Sequence, residues 1–489
     1  MTTTASPDTV PPDLASIRAR AGEVLARAAG AGSRARAVIT TGQQVGLFTG
    51  PLLTAVKSAA LLDLRRALGG EGVDADAIFW CASEDHDLVE VTRILLPGPD
   101  GPRDLGPDPA PLAANRHPVG PLQPQVDFGR IADEAVGREE GAPFGPDARQ
   151  FAALGQGRSY YEGFVASLSW LLGDPPLVFA DAAALGDKPA LVPLAVRLVR
   201  ERETVRRLLG EQARELEARG LPLQVTAEPS ALPLFAIVGS TRHLLREDGG
   251  AFSLKGDESR TWKEDEVTDR FESGEWKPSF SALTRPLATS WLHPVAATVL
   301  GPAEVAYWRQ MLPLFGWAGL VPPCIVPRPS VVLLGRTDRK LAERIGLPLE
   351  EFLASPLEAR RARAAARHAE LLARLAPVES GAREALESLR PAFVGLDASL
   401  GKGLDATTQN ISFAIGKLRE RVLAAAARAD EAFGRDVDRL AASLLPGGKL
   451  AERVYSPLVY LPRHGRERLA ERLLGQVRWS EPGPQVIEI

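Results

Sequence analysis

The segment 37–82 constrains the fold more than any other part of the sequence. A short β-prone run, Ala37–Thr41, leads into the glycine-rich loop Gly42–Gly50, and a helical pattern follows from about Leu52 to Leu68. After a turn, the run Ala77–Ala82 is continuously apolar, as expected for a strand buried on both faces of a sheet. The segment therefore predicts a βαβ unit, in which ligands bind beyond the carboxyl ends of the strands.

The rest of the chain predicts further units around this α/β core. The pattern is interrupted at about 97–176 and 227–280, and the stretch Leu96–Pro146 is so rich in Pro and Gly that we expect irregular structure there. The expected organisation is an N-terminal helical arm (1–36), a core with these two insertions (37–335), a helical coiled-coil domain (336–446), and a C-terminal segment that packs back on the core (447–489).

The coiled coil is predicted from the spacing of apolar residues. Ile411, Ile415, Leu418, Val422, Ala425 and Ala429 follow steps of four and three residues, and Phe433, Val437, Leu440 and Leu444 continue after a four-residue offset. This pattern is typical of a coiled-coil seam with one stutter. The segment Leu357–Leu389 is the expected antiparallel partner.

Composition excludes several classes of protein. The 489 residues carry 58 Lys and Arg against 62 Asp and Glu, so no global basic field favours nucleic acid or anionic lipid. No stretch is long and apolar enough to span a bilayer, and we expect a cytoplasmic protein. Two distant cysteines and six scattered histidines form no disulfide framework and no familiar metal-ligand spacing, so no metal site is predicted.

The first candidate site is the loop Thr40–Pro51, with the sequence T-T-G-Q-Q-V-G-L-F-T-G-P. Its glycines permit close approach of a ligand, and the following helix N-terminus favours an anion. The candidate binding residues of this segment are Gln43, Gln44, Gly46, Thr49, Gly50 and Lys57. A tight structural connection explains the spacing equally well, because the loop matches neither the dinucleotide-binding glycine pattern nor the P-loop.

The second candidate is S-E-D-H-D, Ser83–Asp87, directly after the predicted buried strand. Glu84, Asp85 and Asp87 surround the imidazole of His86, and such carboxylates can tune its pKa or position it for proton transfer. A solvated loop with a helix cap is the structural alternative. We favour a catalytic role because the cluster comes at the ligand-bearing end of the βαβ unit.

Two later motifs provide further candidates. In G-P-A-E-V-A-Y-W, residues 301–308, a glycine and Pro302 lead into a helix, so Gly301, Glu304 and Tyr307 are candidates for binding a carboxylate or phosphate. In V-P-R-P-S, residues 326–330, Arg328 suits the same anions. A capped helix and a structural ion pair are the alternatives, and Arg285 is a weaker candidate of the same kind.

Taken in order, and followed by a coiled coil, these motifs resemble those of the bacillithiol biosynthesis cysteine-adding enzyme family. The resemblance extends from about Val38 to the C-terminus and rests on T-G-Q-Q-V-G-L-F-T-G-P, F-W with E-D-H-D, G-P-A-E-V-A-Y-W and V-P-R-P-S. The chain departs from the family pattern at Leu300, where the family commonly has Gly, and in its shorter N-terminus.

The resemblance implies a Rossmann-like core with inserted segments and a coiled coil that mediates homodimerisation. The implied reaction joins cysteine to glucosaminyl-malate through an amide bond, and activation of a free carboxylate makes ATP with magnesium the expected co-substrate. His86 is then a candidate base for the attacking amine. Two alternatives stay open: a related nucleotidyl-transferring enzyme with another small anionic acceptor, and a non-catalytic dimeric scaffold with a relic pocket.

Overall fold

The computed structural model has 489 residues, of which it describes 10–30, 35–99, 101–137, 141–185, 189–226, 228, 230–481 and 483–489. By its internal contacts the chain divides into two compact units, residues 1–333 with 450–489, and residues 334–449. The helices of the described residues are each too short or too polar to cross a lipid bilayer.

The strands of the described residues are β1 (Ala37–Gln43), β2 (Ala75–Cys81), β3 (Leu95–Leu96), β4 (Arg103–Asp104), β5 (Val178–Asp181), β6 (Ala231–Val238), β7 (Thr241–Asp248), β8 (Ala251–Leu254), β9 (Asp257–Trp262), β10 (Trp276–Phe280), β11 (Val295–Leu300), β12 (Cys324–Pro327), β13 (Ser330–Leu334) and β14 (Pro484–Glu488).

The helices of the first unit are α1 (Leu14–Gly30), α2 (Leu53–Gly70), α3 (Leu88–Thr92), α4 (Pro109–Leu112), α5 (Phe128–Val136), α6 (Gly145–Ala153), α7 (Tyr160–Leu172), α8 (Ala182–Leu185), α9 (Val192–Arg200), α10 (Arg202–Ala218), α11 (Glu264–Glu272), α12 (Arg285–Leu292), α13 (Pro302–Met311), α14 (Pro313–Ala318), and, after the second unit, α23 (Leu461–His464) and α24 (Arg466–Gln476). Those of the second unit are α15 (Arg336–Ile345), α16 (Leu349–Ala354), α17 (Pro356–Arg367), α18 (Ala369–Ala373), α19 (Leu375–Ser388), α20 (Arg390–Leu396), α21 (Leu400–Ala429) and α22 (Glu431–Leu444).

A five-stranded parallel sheet forms the core of the first unit, in the order β12-β11-β1-β2-β5. From β1 the chain adds β2 and β5 on one side and later β11 and β12 on the other. The side of the sheet to which the chain adds its strands therefore changes at β1. This change is the switch point, where doubly wound folds bind ligands. The predicted α/β class with a Rossmann-like core is confirmed.

The two insertions differ in structure. The residues between Leu96 and Pro146 include helix α5, which buries Phe128 and Ile131 in the core. The irregular structure expected there is therefore wrong for α5: its buried residues Phe128, Ile131, Ala132 and Ala135 follow a helical spacing, which is short and lies between stretches rich in Pro and Gly. The second insertion forms an antiparallel sheet in the order β10-β6-β7-β8-β9, with its own apolar core around Trp276 and Phe252.

The terminal segments belong to the first unit. Of the predicted N-terminal arm, residues 1–9 and 31–34 lie outside the described residues, and α1 buries Ile17 and Val24 in the core cluster. At the other end, Leu461, Leu473 and Trp479 lie in the same cluster, and β14 pairs with β13. The C-terminal segment is thus an integral part of the core.

The second unit is an antiparallel arrangement of helices. Ion pairs join Arg344 to Asp436, Arg367 to Asp430, and Arg390 to Asp405, so the partner residues run in opposite directions along the chain. At the predicted stutter the helix is interrupted: α21 ends at Ala429, and Asp430 caps α22 by accepting a hydrogen bond from Phe433 N. The break falls at the four-residue offset in the apolar pattern, because an offset of that kind moves the seam to another face of the helix.

Candidate functional site

A cavity of about 440 Å³ lies at the carboxyl end of the parallel sheet, around the switch point. The ends of β1, β2 and β11 form its floor, and helices α2, α12 and α13 form its walls. The sequence-predicted residues that line it are Gln43, Gln44, Lys57, Asp85, Arg285, Gly301, Glu304, Tyr307 and Arg328. Residues from four separate motifs therefore meet in one cavity, because each motif follows the carboxyl end of a parallel strand.

The buried Lys57 forms an ion pair with the half-buried Glu304 beside the end of β1. The Nζ atom of Lys57 lies 2.5 Å from Oε2 of Glu304 and donates to Gly42 O and Gln43 Oε1. Burial lowers the pKa of Lys57, although Glu304 opposes the shift. The same Glu304 oxygen accepts a hydrogen bond from Gly301 N at 2.6 Å, so the start of α13 is capped by a carboxylate of its own chain.

Arg328 is held by a second buried ion pair. Its Nη1 donates to Glu452 Oε1 at 2.8 Å and to Pro329 O, while Glu452 Oε2 accepts from Val331 N. Burial raises the pKa of Glu452, and Arg328 opposes this shift. Within the described part of the chain, the buried Nε atom of Arg328 has no hydrogen-bond partner, which leaves one donor available to a ligand.

Asp85 lines the cavity beside the end of β2. Its carboxylate accepts hydrogen bonds from Gln44 Nε2 at 3.1 Å, from His86 N at 2.8 Å, and from Arg242 Nη1 at 3.3 Å. Burial acts to raise the pKa of Asp85, but Arg242 and Arg285 outweigh it and bring the pKa to about 2. Asp85 is therefore a carboxylate at neutral pH, and it is too weak a base to take a proton from an amine.

His86 is not among the residues that line the cavity, and its ring is engaged by Arg242. Arg242 Nη1 lies 3.0 Å from Nδ1 of His86. Because a guanidinium only donates, Nδ1 must accept, and the neutral imidazole carries its proton on Nε2. Burial lowers the pKa of His86, and Arg242 adds to the shift. This geometry uses the lone pair that a general base needs, so it does not support the base role predicted for His86.

The other two carboxylates of the S-E-D-H-D motif have structural contacts. Glu84 is buried and accepts a hydrogen bond from Arg285 Nε at 3.3 Å. Burial raises the pKa of Glu84 in spite of this cation. Asp87 caps α3 by accepting from Glu90 N. Neither side chain lines the cavity, so Arg285, which does, is the group through which Glu84 can influence a ligand.

Tyr307 lies on α13 and lines the cavity opposite Arg285 on α12. Burial raises the pKa of its phenol well above the ordinary value, so the hydroxyl keeps its proton at neutral pH. A neutral phenol can both donate and accept a hydrogen bond, which suits the binding of a polar ligand.

The glycine loop divides between the cavity and the core. Gly42, Gln43 and Gln44 line the cavity, but Gly46, Thr49 and Gly50 do not. The backbone is left-handed at Phe48, Thr49 and Gly50, with φ of 53°, 68° and 67°, and this turn buries Phe48 against Phe128 and Phe151. The second half of the loop therefore has the structural role that was the alternative interpretation of the sequence.

Among the described residues, no group of three or more His, Cys, Asp or Glu side chains is arranged to hold a metal ion.

The cavity contains residues that the motifs did not indicate. Ser290 and Arg453 line it, and Arg242 and Glu452 hold its charged side chains. Arg242 and Glu452 come from distant parts of the chain, and no local spacing marks them.

Comparison with known proteins gives matches over nearly the whole chain. The model for the N-terminal Rossmann-like domain of bacillithiol biosynthesis BshC matches residues 27–329, and the model for the C-terminal coiled-coil domain of BshC matches residues 331–488.

Curated proteins named "Putative cysteine ligase BshC" are similar to the chain over most of its length. The protein of Koribacter versatilis is 29% identical, with 87% of this chain and 79% of the relative covered. That of Geobacillus kaustophilus is also 29% identical, with 89% and 81% covered. That of Thermus thermophilus is 29% identical, with 90% and 86% covered.

Proposed function

Because the chain belongs to the bacillithiol biosynthesis BshC family, we propose that it is a cysteine ligase that joins cysteine to glucosaminyl-malate in the last step of bacillithiol biosynthesis. The observation that carries the proposal is the cavity at the switch point, where charged side chains from four motifs meet. Both proposed substrates are small and ionic, and the malate part carries two carboxylates.

The charges of the cavity suit these substrates. Lys57, Arg285, Arg328 and Arg453 line it, and cationic side chains bind carboxylates by charge-assisted hydrogen bonds. Asp85 is ionised and also lines the cavity, so it can accept a hydrogen bond from an amino group. The site therefore offers partners for both the carboxylates and the amines of the substrates.

Amide formation requires the amine nitrogen of glucosaminyl-malate to bond to the carboxyl carbon of cysteine. One carboxyl oxygen leaves with the activating group, and the amine loses a proton. Within this scheme Asp85 orients the amine rather than deprotonating it, because a carboxylate of pKa about 2 is a poor base for an amine. Arg242 positions both Asp85 and His86 because it donates a hydrogen bond to each. Its charge also favours ionised Asp85 and neutral His86.

ATP is the proposed co-substrate, with magnesium entering as its counter-ion. Among the described residues the buried Nε of Arg328 lacks a hydrogen-bond partner, and this donor together with the cations Lys57 and Arg453 of the same cavity fits a triphosphate. ATP would supply the activation that a free carboxylate needs. Asp85, Glu90 and Glu304 also line the cavity, so the site is not uniformly positive.

A homodimer formed through the second unit and a cytoplasmic location complete the proposal. The exposed apolar side chains of the helices between residues 356 and 429 support self-association, because such side chains are normally covered in a stable assembly. They are Leu357, Leu371, Val378, Leu389, Val394, Leu396, Leu400, Phe413 and Leu418. The proposed location is the compartment in which ATP and cysteine are available.

The purified protein provides the test of the reaction. Incubated with cysteine, glucosaminyl-malate and ATP with magnesium, the wild type should produce bacillithiol, detected by mass spectrometry, and omission of any one reactant should abolish the product. Lys57→Met should lower kcat/KM about 100-fold, the usual size of losing one preorganised donor. Lys340→Met, at an exposed position on α15, is the matched control.

Since Lys57→Met leaves the half-buried Glu304 without its cation, the double variant Lys57→Met/Glu304→Gln removes both charges and separates loss of function from loss of folding. A folded double variant with wild-type turnover would contradict the role of this pair. A wild type that makes no bacillithiol from the three reactants would contradict the proposed function itself.

A further inference from the structure

One part of the cavity carries no charge and lies on a face of the parallel sheet. In β1 and β2 Gly42 is the register partner of Trp80, and in β1 and β11 Thr40 is that of Thr298. Neighbouring residues of a parallel sheet at the same register point to the same face, so Trp80, Gly42 and Leu300, two residues beyond Thr298, share one face. All of them line the cavity.

Gly42 keeps this face open. A Cβ atom at position 42 would lie 2.8 Å from Trp80 O and 3.2 Å from Trp80 Cβ, so no other residue fits there without displacing the strand beside it. Because Gly42 has no side chain, β1 can lie close to Trp80, and no side chain of β1 projects between Trp80 and Leu300 at this register. Thr289 and Ser290 of helix α12 also line the cavity.

Two polar atoms in this part of the cavity have no hydrogen-bond partner among the residues that the structure describes. Trp80 is 6% exposed, and its buried indole Nε1 has no acceptor there. Within the same residues the buried hydroxyl of Ser290 has no partner either. Buried donors of this kind are rare in folded proteins because they lose their hydrogen bonds to water, and a cavity that contains two is suited to a ligand that brings acceptors.

We propose that the Trp80 subsite, formed by Gly42, Trp80, Ser290 and Leu300, binds the hydroxylated sugar ring of the substrate. The ring lies over Gly42 beside the indole, and its hydroxyl oxygens accept from Trp80 Nε1 and Ser290 Oγ. The inference rests on the proposed function, because glucosaminyl-malate joins a sugar to a dicarboxylate. Arg285, which lines the cavity on the same helix as Ser290, then takes the carboxylates.

The surroundings favour a sugar over the base of a nucleotide. A base offers two aromatic faces and usually has an apolar or aromatic side chain on each, whereas a sugar ring needs one apolar wall and several hydrogen-bond partners. The subsite has one indole, that of Trp80, and the hydroxyl of Ser290, while the hydroxyl of Thr289 beside it donates to Arg285 O. A nucleotide base at this place is the alternative that the experiment must distinguish.

The test compares Trp80→Phe and Ser290→Ala with the wild type by steady-state kinetics on all three reactants. Each variant removes one donor and keeps most of the shape, so the KM for glucosaminyl-malate should rise about three- to tenfold, as for the loss of one hydrogen bond. The KM values for cysteine and ATP, and the inhibition constant of free malate, should stay within about twofold because malate lacks the sugar.

Trp276→Phe is the matched control, because Trp276 is buried in the inserted sheet and does not line the cavity. Unchanged KM values for glucosaminyl-malate in both variants would overturn the proposal. A rise in the KM for ATP alone would overturn it too and would place the nucleotide base in the subsite. These outcomes require turnover by the wild type, so a wild type that does not use glucosaminyl-malate refutes the proposed function first.

Discussion

Arg242 sets the protonation of two side chains at the end of β2. Its guanidinium is buried, stacks 3.6 Å above the ring of Phe235, and donates to Ser279 Oγ, Asp85 and His86. Because the side chain is fixed on all sides, its charge acts on Asp85 and His86 at short distance. It keeps Asp85 ionised and keeps His86 neutral, with the imidazole proton on Nε2.

Replacing Arg242 should change the titration of His86. In Arg242→Gln one cation that lowers the pKa of His86 is gone, so His86 should protonate at a higher pH than in the wild type. Arg242→Lys keeps the charge and should shift the pKa of His86 less. Both variants should lose about 1–3 kcal/mol of unfolding free energy, because buried partners of Arg242 lose their hydrogen bonds.

Histidine ring resonances followed by NMR against pH give this pKa, and chemical denaturation gives the free energy of unfolding. Arg246→Gln is the control, since Arg246 lies on the same strand and pairs with Glu228 and Glu258 at the surface. An unchanged pKa of His86 in Arg242→Gln would show that the guanidinium does not control this imidazole.

The elements explain which residues of the site the sequence can predict. Each motif follows a strand of the parallel sheet, so local signals placed Lys57, Asp85, Glu304 and Arg328 around one cavity. Arg242 lies on a strand of the inserted sheet, more than 150 residues after Asp85, and its contact depends on how that sheet packs. Tertiary contacts of this kind have no period or spacing in the sequence, so the residue was missed.

The same reason explains Trp80 and the glycine loop. Trp80 belongs to an apolar run that predicts a buried strand, and nothing in the run distinguishes a core indole from one that faces a cavity. Gly46 and Gly50 have the composition of a ligand loop, but the turn directs Phe48 into the core. The strand, the loop and the helix were predictable, whereas the direction of each side chain was not.

The C-terminal segment contributes a pH dependence of stability. Burial lowers the pKa of His464 at the end of α23 to about 4, and Arg463 and Arg468 add to the shift. The neutral imidazole is therefore favoured in the folded state, while the unfolded chain takes up the proton near pH 6.5. The contribution of His464 to the free energy of unfolding is therefore fully present above about pH 6.5. It is lost as the pH falls from there towards about 4.

Between about pH 6.5 and 4 the free energy of unfolding of His464→Gln should fall by roughly 1–2 kcal/mol less than that of the wild type. This difference is reduced for the partial exposure of the ring. Urea denaturation at a series of pH values measures the difference. Equal slopes for wild type and His464→Gln would mean that this histidine titrates normally in the folded chain.

At the scale of the whole molecule, the second unit exposes apolar side chains that a partner would cover. On α21, Phe413 is 68% exposed and Leu418 is 47% exposed. Leu418 also belongs to the apolar pattern that predicts the coiled coil, and within this unit the pattern is only partly buried. A second copy of the chain is the partner we propose for this surface.

Phe413→Glu/Leu418→Glu should therefore convert a dimer to a monomer of 52.4 kDa. Light scattering coupled to gel filtration measures the mass. Val178→Glu is the control, because Val178 is exposed on the first unit and is no part of the proposed interface. A wild type that is already monomeric, or a double variant that stays dimeric, would contradict the proposed use of this surface.

The central claim is that the chain adds cysteine to glucosaminyl-malate by means of the cavity at the switch point. The most direct measurement quantifies low-molecular-weight thiols by mass spectrometry in the host after deletion of the gene and complementation with wild type or Asp85→Asn. Bacillithiol should disappear and glucosaminyl-malate accumulate, with rescue by the wild type and little or none by the variant. Unchanged bacillithiol in the deletion strain would contradict the claim.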